Sequence, residues 1–172
     1  MQRALPVFWK YGFSRTTLPD LESVTGVNKS GLYSEFESKE KLFLACLRYY
    51  RDTHVAGGLL SAEPPGWCNI QKFLEQAPGR ARDQRGCFSV NSMRELIGLP
   101  PEARKTISDA LGQLKRLLRV NIAAENPKMD VDVLCDLVLV FFSGICIEAN
   151  LKVERSRTRL KIENFMKMLR TA

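Results

Sequence analysis

The chain has 172 residues, 45% of them hydrophobic and 26% charged, with a formal net charge of +7. That is long enough for one or two compact domains with a buried core, and too mixed for a disordered or low-complexity protein. One histidine and five cysteines with no C-x-x-C pair argue against a zinc site, and no nucleophile–base or paired-carboxylate constellation marks an enzyme.

The first predicted helix carries Ala4, Leu5, Phe8 and Trp9 at helical spacing and ends at Gly12. A second, short helix follows. Thr17 is its cap, with Asp20 three positions on, and Pro19 is tolerated in a first turn whose N–H groups lack intrahelical partners. Leu18, Leu21 and Val24 give that helix its apolar face. Gly26 supplies the positive φ of a sharp reversal. Asn28 caps a third helix anchored by Leu32 and Phe36, whose outward side carries Lys29, Ser30, Gly31, Tyr33 and Ser34. This face is small, polar and basic at a helix N-terminus, where backbone dipoles favour phosphate. Two short helices joined this way are built to enter a major groove.

The run from Gly12 to Phe43, GFSRTTLPDLESVTGVNKSGLYSEFESKEKLF, resembles the DNA-binding domain of tetracycline-repressor-type (TetR/AcrR) regulators. The shared landmarks are a Gly-aromatic pair, Thr-Thr at the second helix, Gly-Val before the third, Gly-x-Leu-Tyr-x-x-Phe and Ser-Lys-Glu. The resemblance implies base contacts from Lys29 and Gly31 and phosphate contacts from Thr17, Tyr33 and Lys39, with Asn28, Ser30 and Ser34 on the same DNA-facing surface. Glu35 departs from relatives that carry His there, and a carboxylate cannot hold a phosphate oxygen. The family has a longer first helix preceded by a basic arm; either such an arm lies upstream or it is lacking.

Ser38 caps a fourth helix, with Glu40 in its first turn and an apolar stripe of Leu42, Phe43, Cys46, Leu47 and Tyr50 running to about Thr53. His54 is expected to be a solvated imidazole. The stretch from Gly57-Gly58 to Pro64-Pro65-Gly66 is the clearest break in the chain. Beyond it, Trp67 to Glu75 reads as a modest helix, and residues 80–85 (RARDQR) as a solvated loop. The run from Gly86 to Ser92, continued by Met93 to Leu96, also resembles the start of the family's sixth helix. Pro100-Pro101 then opens a long amphipathic helix marked by Ala103, Ile107, Leu111, Leu114, Leu118 and Ile122. Asp130 and Asp132 begin another, Val131 to about Leu151, whose middle is apolar on every side and so has to be covered on both faces. Ser156 to Leu169 is the last.

The fold expected is all-α: a three-helix helix-turn-helix domain over residues 1–45 and a helical effector-binding and dimerisation domain over 46–172. The longest apolar run, 137–147, is far short of the roughly 18 residues of a membrane span, and no signal peptide precedes the first motif, so a cytoplasmic protein is expected. Residues 1–55 hold eight Lys/Arg against six Asp/Glu, a balance of only +2, whereas residues 72–119 hold ten against five. Phosphate attraction therefore depends on where a few cations sit.

With the resemblance, these features imply a homodimeric transcriptional regulator, a repressor on a palindromic double-stranded DNA operator, released by a small-molecule effector. No cofactor or metal is implied. Trp67, Phe88, Met93 and Phe142 are candidates to line an effector cavity, although core and cavity use the same residue types. Phe141, Ile145, Phe165, Met166 and Leu169 are candidates for a four-helix dimer interface. The alternative is a regulator switched by cysteine oxidation or a partner protein. The cysteines are otherwise expected to be small buried hydrophobes, and Cys135 and Cys146, eleven apart on one helix, are too far apart to bridge.

Overall fold

The computed structural model describes residues 1–53, 56–79, 86–151 and 154–172, without the side chains of residues 56 and 57. The expectations for His54 and for the loop over 80–85 lie outside the described residues. Every regular element among those described is helical: α1 (Leu5–Arg15), α2 (Leu18–Thr25), α3 (Lys29–Phe36), α4 (Lys39–Thr53), α5 (Ala56–Leu60), α6 (Trp67–Gln76), α7 (Phe88–Ser92), α8 (Pro101–Ala123), α9 (Val131–Glu148) and α10 (Arg155–Thr171). Short 3-10 segments follow α7 (Met93–Gly98) and α9 (Ala149–Leu151). None of the described helices is long and apolar enough to cross a membrane.

The chain divides into two compact units, Met1–His54 with Phe88–Ala110, and Val55–Cys87 with Leu111–Ala172. The first is built on an aromatic core. Phe43 of α4 lies edge-on to Phe8 of α1 at 5.1 Å between ring centroids, and Phe13 sits at the same distance. Phe88 of α7 completes the cluster, 5.7 Å from each of Phe43, Trp9 and Tyr50. Each such pair adds about 0.5–1.5 kcal/mol to the burial of its rings. The first helix does not stop at Gly12. It continues to Arg15 through a break at that residue (φ 80°, ψ 176°), where Glu95 of the first 3-10 segment packs against the glycine and accepts the Ser14 N–H at 2.9 Å.

The second unit buries Leu60, Ile70, Phe73, Leu74, Leu118, Ile122, Leu134, Val138, Phe142, Ile162, Met166 and Leu169. At roughly 1.5–3 kcal/mol for each fully buried large side chain, this core is the main force holding the unit. Phe73 and Phe142 stack at 4.7 Å. Asn121 of α8, fully buried, accepts the Gly66 N–H at 2.9 Å and an Asn69 N–H at 3.0 Å, and donates to the Leu60 carbonyl at 2.7 Å. Because each polar group here is paired, its burial carries no desolvation penalty for an orphan donor or acceptor. The break expected from Gly57 to Gly66 is shorter than the sequence suggests: α5 occupies its first half, and Leu60 is buried in the unit's core.

Helix α9 is covered on one face only. Leu134, Cys135, Val138, Phe142, Ile145 and Cys146 are buried, but Val133, Leu137, Val140 and Ile147 are exposed, Val140 to 72%. Ile145, Met166 and Leu169, expected to meet a second copy, are instead buried within the chain, and Phe141 and Phe165, both half-buried, stack on each other at 3.8 Å. The reason is geometric: α10 packs chiefly on α6 and reaches α9 through Phe165, while the stripe of Val133, Leu137, Val140 and Ile147 stays exposed.

Candidate nucleic-acid interface

The helix-turn-helix is held by local caps. The Thr17 hydroxyl accepts the Asp20 N–H at 3.3 Å, and Asp20 in turn accepts the Thr17 N–H at 2.9 Å, a reciprocal capping box. The Thr17 hydroxyl also donates to Asp20 at 2.6 Å. These bonds hold the Asp20 carboxyl below its usual value, the Thr17 side chain first and the Thr17 backbone second. Gly26 ends α2 in the left-handed region (φ 72°), with open space around its α-carbon, so conformation alone selects glycine there. Asn28 then caps α3 by accepting the Gly31 N–H at 2.9 Å.

Helix α3 turns Leu32 into the core and leaves Lys29, Ser30 and Ser34 exposed, with Tyr33 and Gly31 half-buried beside them. The Lys29 ammonium lies 5.7 Å from the centre of the Tyr33 ring, within range of a weak cation–π attraction. Asn28 and Thr17, the caps of α3 and α2, are exposed as well. The DNA-facing set expected from the sequence is thus exposed or half-buried along α2 and α3, with one exception.

Lys39 is that exception. Its ammonium donates to the carbonyls of Phe13 and Thr16, each at 3.1 Å, and sits 4.5 Å over the Phe13 ring. It clasps the end of α1 to the start of α4, contacts that compete with the phosphate contact expected of it. The last carbonyls of a helix have no intrahelical donor, and a cation is the natural group to satisfy them.

A second residue at the site, Glu22, was not singled out by its sequence. Its carboxylate accepts the N–H of Lys29, the first residue of α3. With Asn28 on the Gly31 N–H, two of the donors that would otherwise attract phosphate at this helix end are already engaged inside the chain. The basic character of the face therefore rests on the Lys29 side chain and not on the helix terminus. The only signal in the sequence is a carboxylate on α2 placed one glycine turn before the cap, which many helix surfaces carry.

The effector-pocket candidates are divided between the two units. Phe88 is a core ring of the first unit, 1% exposed, and Met93 follows it there half-buried, whereas Trp67 and Phe142 are buried in the second unit.

Comparison with known proteins bears on the helix-turn-helix directly. The family described as bacterial regulatory proteins, tetR family, matches residues 1–46. An uncharacterised HTH-type transcriptional regulator, YezE of Bacillus subtilis (strain 168), is 29% identical over 143 residues, covering 77% of this chain and 74% of its own. The HTH-type transcriptional repressor ComR of Escherichia coli (strain K12) is 25% identical over 182 residues, covering 99% of this chain and 84% of its own. Among solved structures, a cysteine mutant of the TetR family transcriptional regulator CifR, complexed with 26 bp double-strand operator DNA, superposes with a TM-score of 0.82 at 23% identity, over 96% of this chain and 92% of that one. Motif, caps, exposed α3 face and relatives converge: residues 1–46 match the DNA-binding domain of the tetR family, and the chain is similar along most of its length to HTH-type transcriptional regulators.

Proposed function

We propose that this regulator acts as a homodimeric repressor: residues 1–45 bind one half of a palindromic operator, and residues 46–172 dimerise and hold a small-molecule effector that releases the DNA. The observation that carries the DNA reading is the α3 face, where Lys29, Ser30, Tyr33 and Ser34 stand clear of a helix whose own caps are satisfied internally. In this reading Lys29 contacts a base edge, and Tyr33 and Thr17 hold phosphates. A CifR mutant occupies operator DNA with the same fold, which supports the reading.

Dimerisation is supported by α9. Val133, Leu137, Val140 and Ile147 recur at spacings of four, three and seven, close to a coiled-coil seam, and α10 adds the exposed Leu160 and Met168. A twofold mate would cover both stripes and present two α3 helices to successive major grooves, roughly 34–36 Å apart. Trp67 and Phe142, both buried in the second compact unit, are the effector candidates kept in this reading.

Selection of DNA from a random pool by the purified protein tests the reading. The expected product is a two-fold symmetric site, with Lys29→Ala relaxing preference at one position of each half-site by about 1–3 kcal/mol. Tyr33→Ala should weaken all sequences alike. A pool that shows no symmetric enrichment would overturn it.

A further inference from the structure

We propose that Cys87 and Cys146 form a thiol pair that a hydroperoxide closes to a disulfide within the second unit. The argument begins at Gly86. Its φ of +65° and its surroundings leave no room for a side chain: a β-carbon there would lie 2.1 Å from the Cys146 carbonyl oxygen and 2.8 Å from the Cys146 α-carbon. Backbone is thus packed on backbone immediately before Cys87. Two adjacent carbonyls hold the approach: that of Pro78 accepts the Gly86 N–H at 3.3 Å, and that of Ala77 accepts the Cys146 thiol at 3.5 Å. Cys87 follows Gly86 directly in the chain, so this packing sets it beside the Cys146 backbone. Neighbouring backbones are the first geometric demand of a disulfide, whose α-carbons lie within about 7 Å of each other.

Their environments divide the labour. Cys146 is fully buried, and burial pushes its thiol far above the ordinary range. Cys87 is half-exposed and open to a small oxidant. The Cys87 thiolate attacks one peroxide oxygen, the O–O bond breaks, and the released hydroxide takes up the proton the thiol had lost, leaving a sulfenic acid and one water. The Cys146 sulfur then attacks the Cys87 sulfur. The S–O bond breaks, the Cys146 proton leaves with the hydroxyl as a second water, and the S–S bond forms. Two thiols and one hydrogen peroxide give one disulfide and two waters, so the peroxide is the two-electron acceptor.

Exposure alone would favour Cys68, the exposed cysteine of α6, which makes it an internal control. The reduced full-length protein is treated with hydrogen peroxide, its remaining thiols are alkylated, and its peptides are mapped by mass spectrometry. The expected result is a Cys87–Cys146 cross-linked peptide with Cys68 still alkylated. Replacing the buried partner (Cys146→Ala, or Cys146→Ser if the alanine variant loses its helical melting transition) should trap Cys87 as a sulfenic acid that dimedone captures. Cys87→Ser should leave Cys146 unmodified. A cross-link through Cys68, Cys87 oxidised to sulfinic acid equally with and without Cys146, or a Cys87 that stays reduced throughout would each overturn the pair.

Discussion

Lys39 offers the sharpest test of the architecture of the DNA-binding unit, because its two readings predict different observables. As a clasp, its ammonium makes two hydrogen bonds of 3.1 Å to the Phe13 and Thr16 carbonyls and a cation–π contact of 4.5 Å with Phe13. A net hydrogen bond involving a charged group contributes about 1.5–3 kcal/mol, but the site is half-buried and water can reach the carbonyls after truncation. Taking about 1 kcal/mol for each bond and about 0.5–1 for the ring contact gives roughly 2–3 kcal/mol for Lys39→Ala. Lys39→Met keeps the apolar stem and loses only the charge, so it should recover little of that. Urea denaturation followed by circular dichroism measures the loss. Affinity for DNA is then measured across a salt series with the same variants. A clasp predicts weaker binding with an unchanged slope of log K against log salt. A phosphate contact predicts full stability and a slope shallower by about 0.9. The second outcome would refute the reasoning.

Asp20 is held below its ordinary value of 3.8 in the folded protein, so the stability it contributes is present above that value and is lost as pH falls through the lower folded value; Asp20→Asn should flatten this acid limb of the unfolding curve. Gly26→Ala should cost about 1 kcal/mol, for conformation only, since nothing stands near its α-carbon, whereas Gly86→Ala should cost upward of about 2 kcal/mol because it also meets the Cys146 backbone; matched thermal melts decide. Val140→Glu, on a side chain 72% exposed, should give a folded monomer in sedimentation, while Ile145→Glu, at 4%, should fail to fold; a dimeric Val140→Glu variant would remove α9 from the interface.

How much of this was legible beforehand follows from the range of each interaction. Thr17 with Asp20, Asn28 with Gly31 and Gly26 at its turn all act within three residues, and for such contacts the sequence order is already the spatial order. The helix-turn-helix, its caps and its outward face could therefore be read directly, as could the helices opened by Pro101 and Asp130. Lys39 was legible as a cation beside the DNA-facing surface but not as a clasp, because its acceptors are backbone carbonyls 26 and 23 residues away, and any residue type offers the same carbonyl. Phe88 could be read as core or as cavity lining, and nothing in its neighbours tells that its rings are Trp9, Phe43 and Tyr50 of the first unit. Helix α9 was apolar all round in the sequence. Only the packing of the second unit, with Phe73 of α6 on Phe142 and Phe165 of α10 on Phe141, decided which of its faces is covered, since hydrophobic attraction has no direction and packing alone selects the partner.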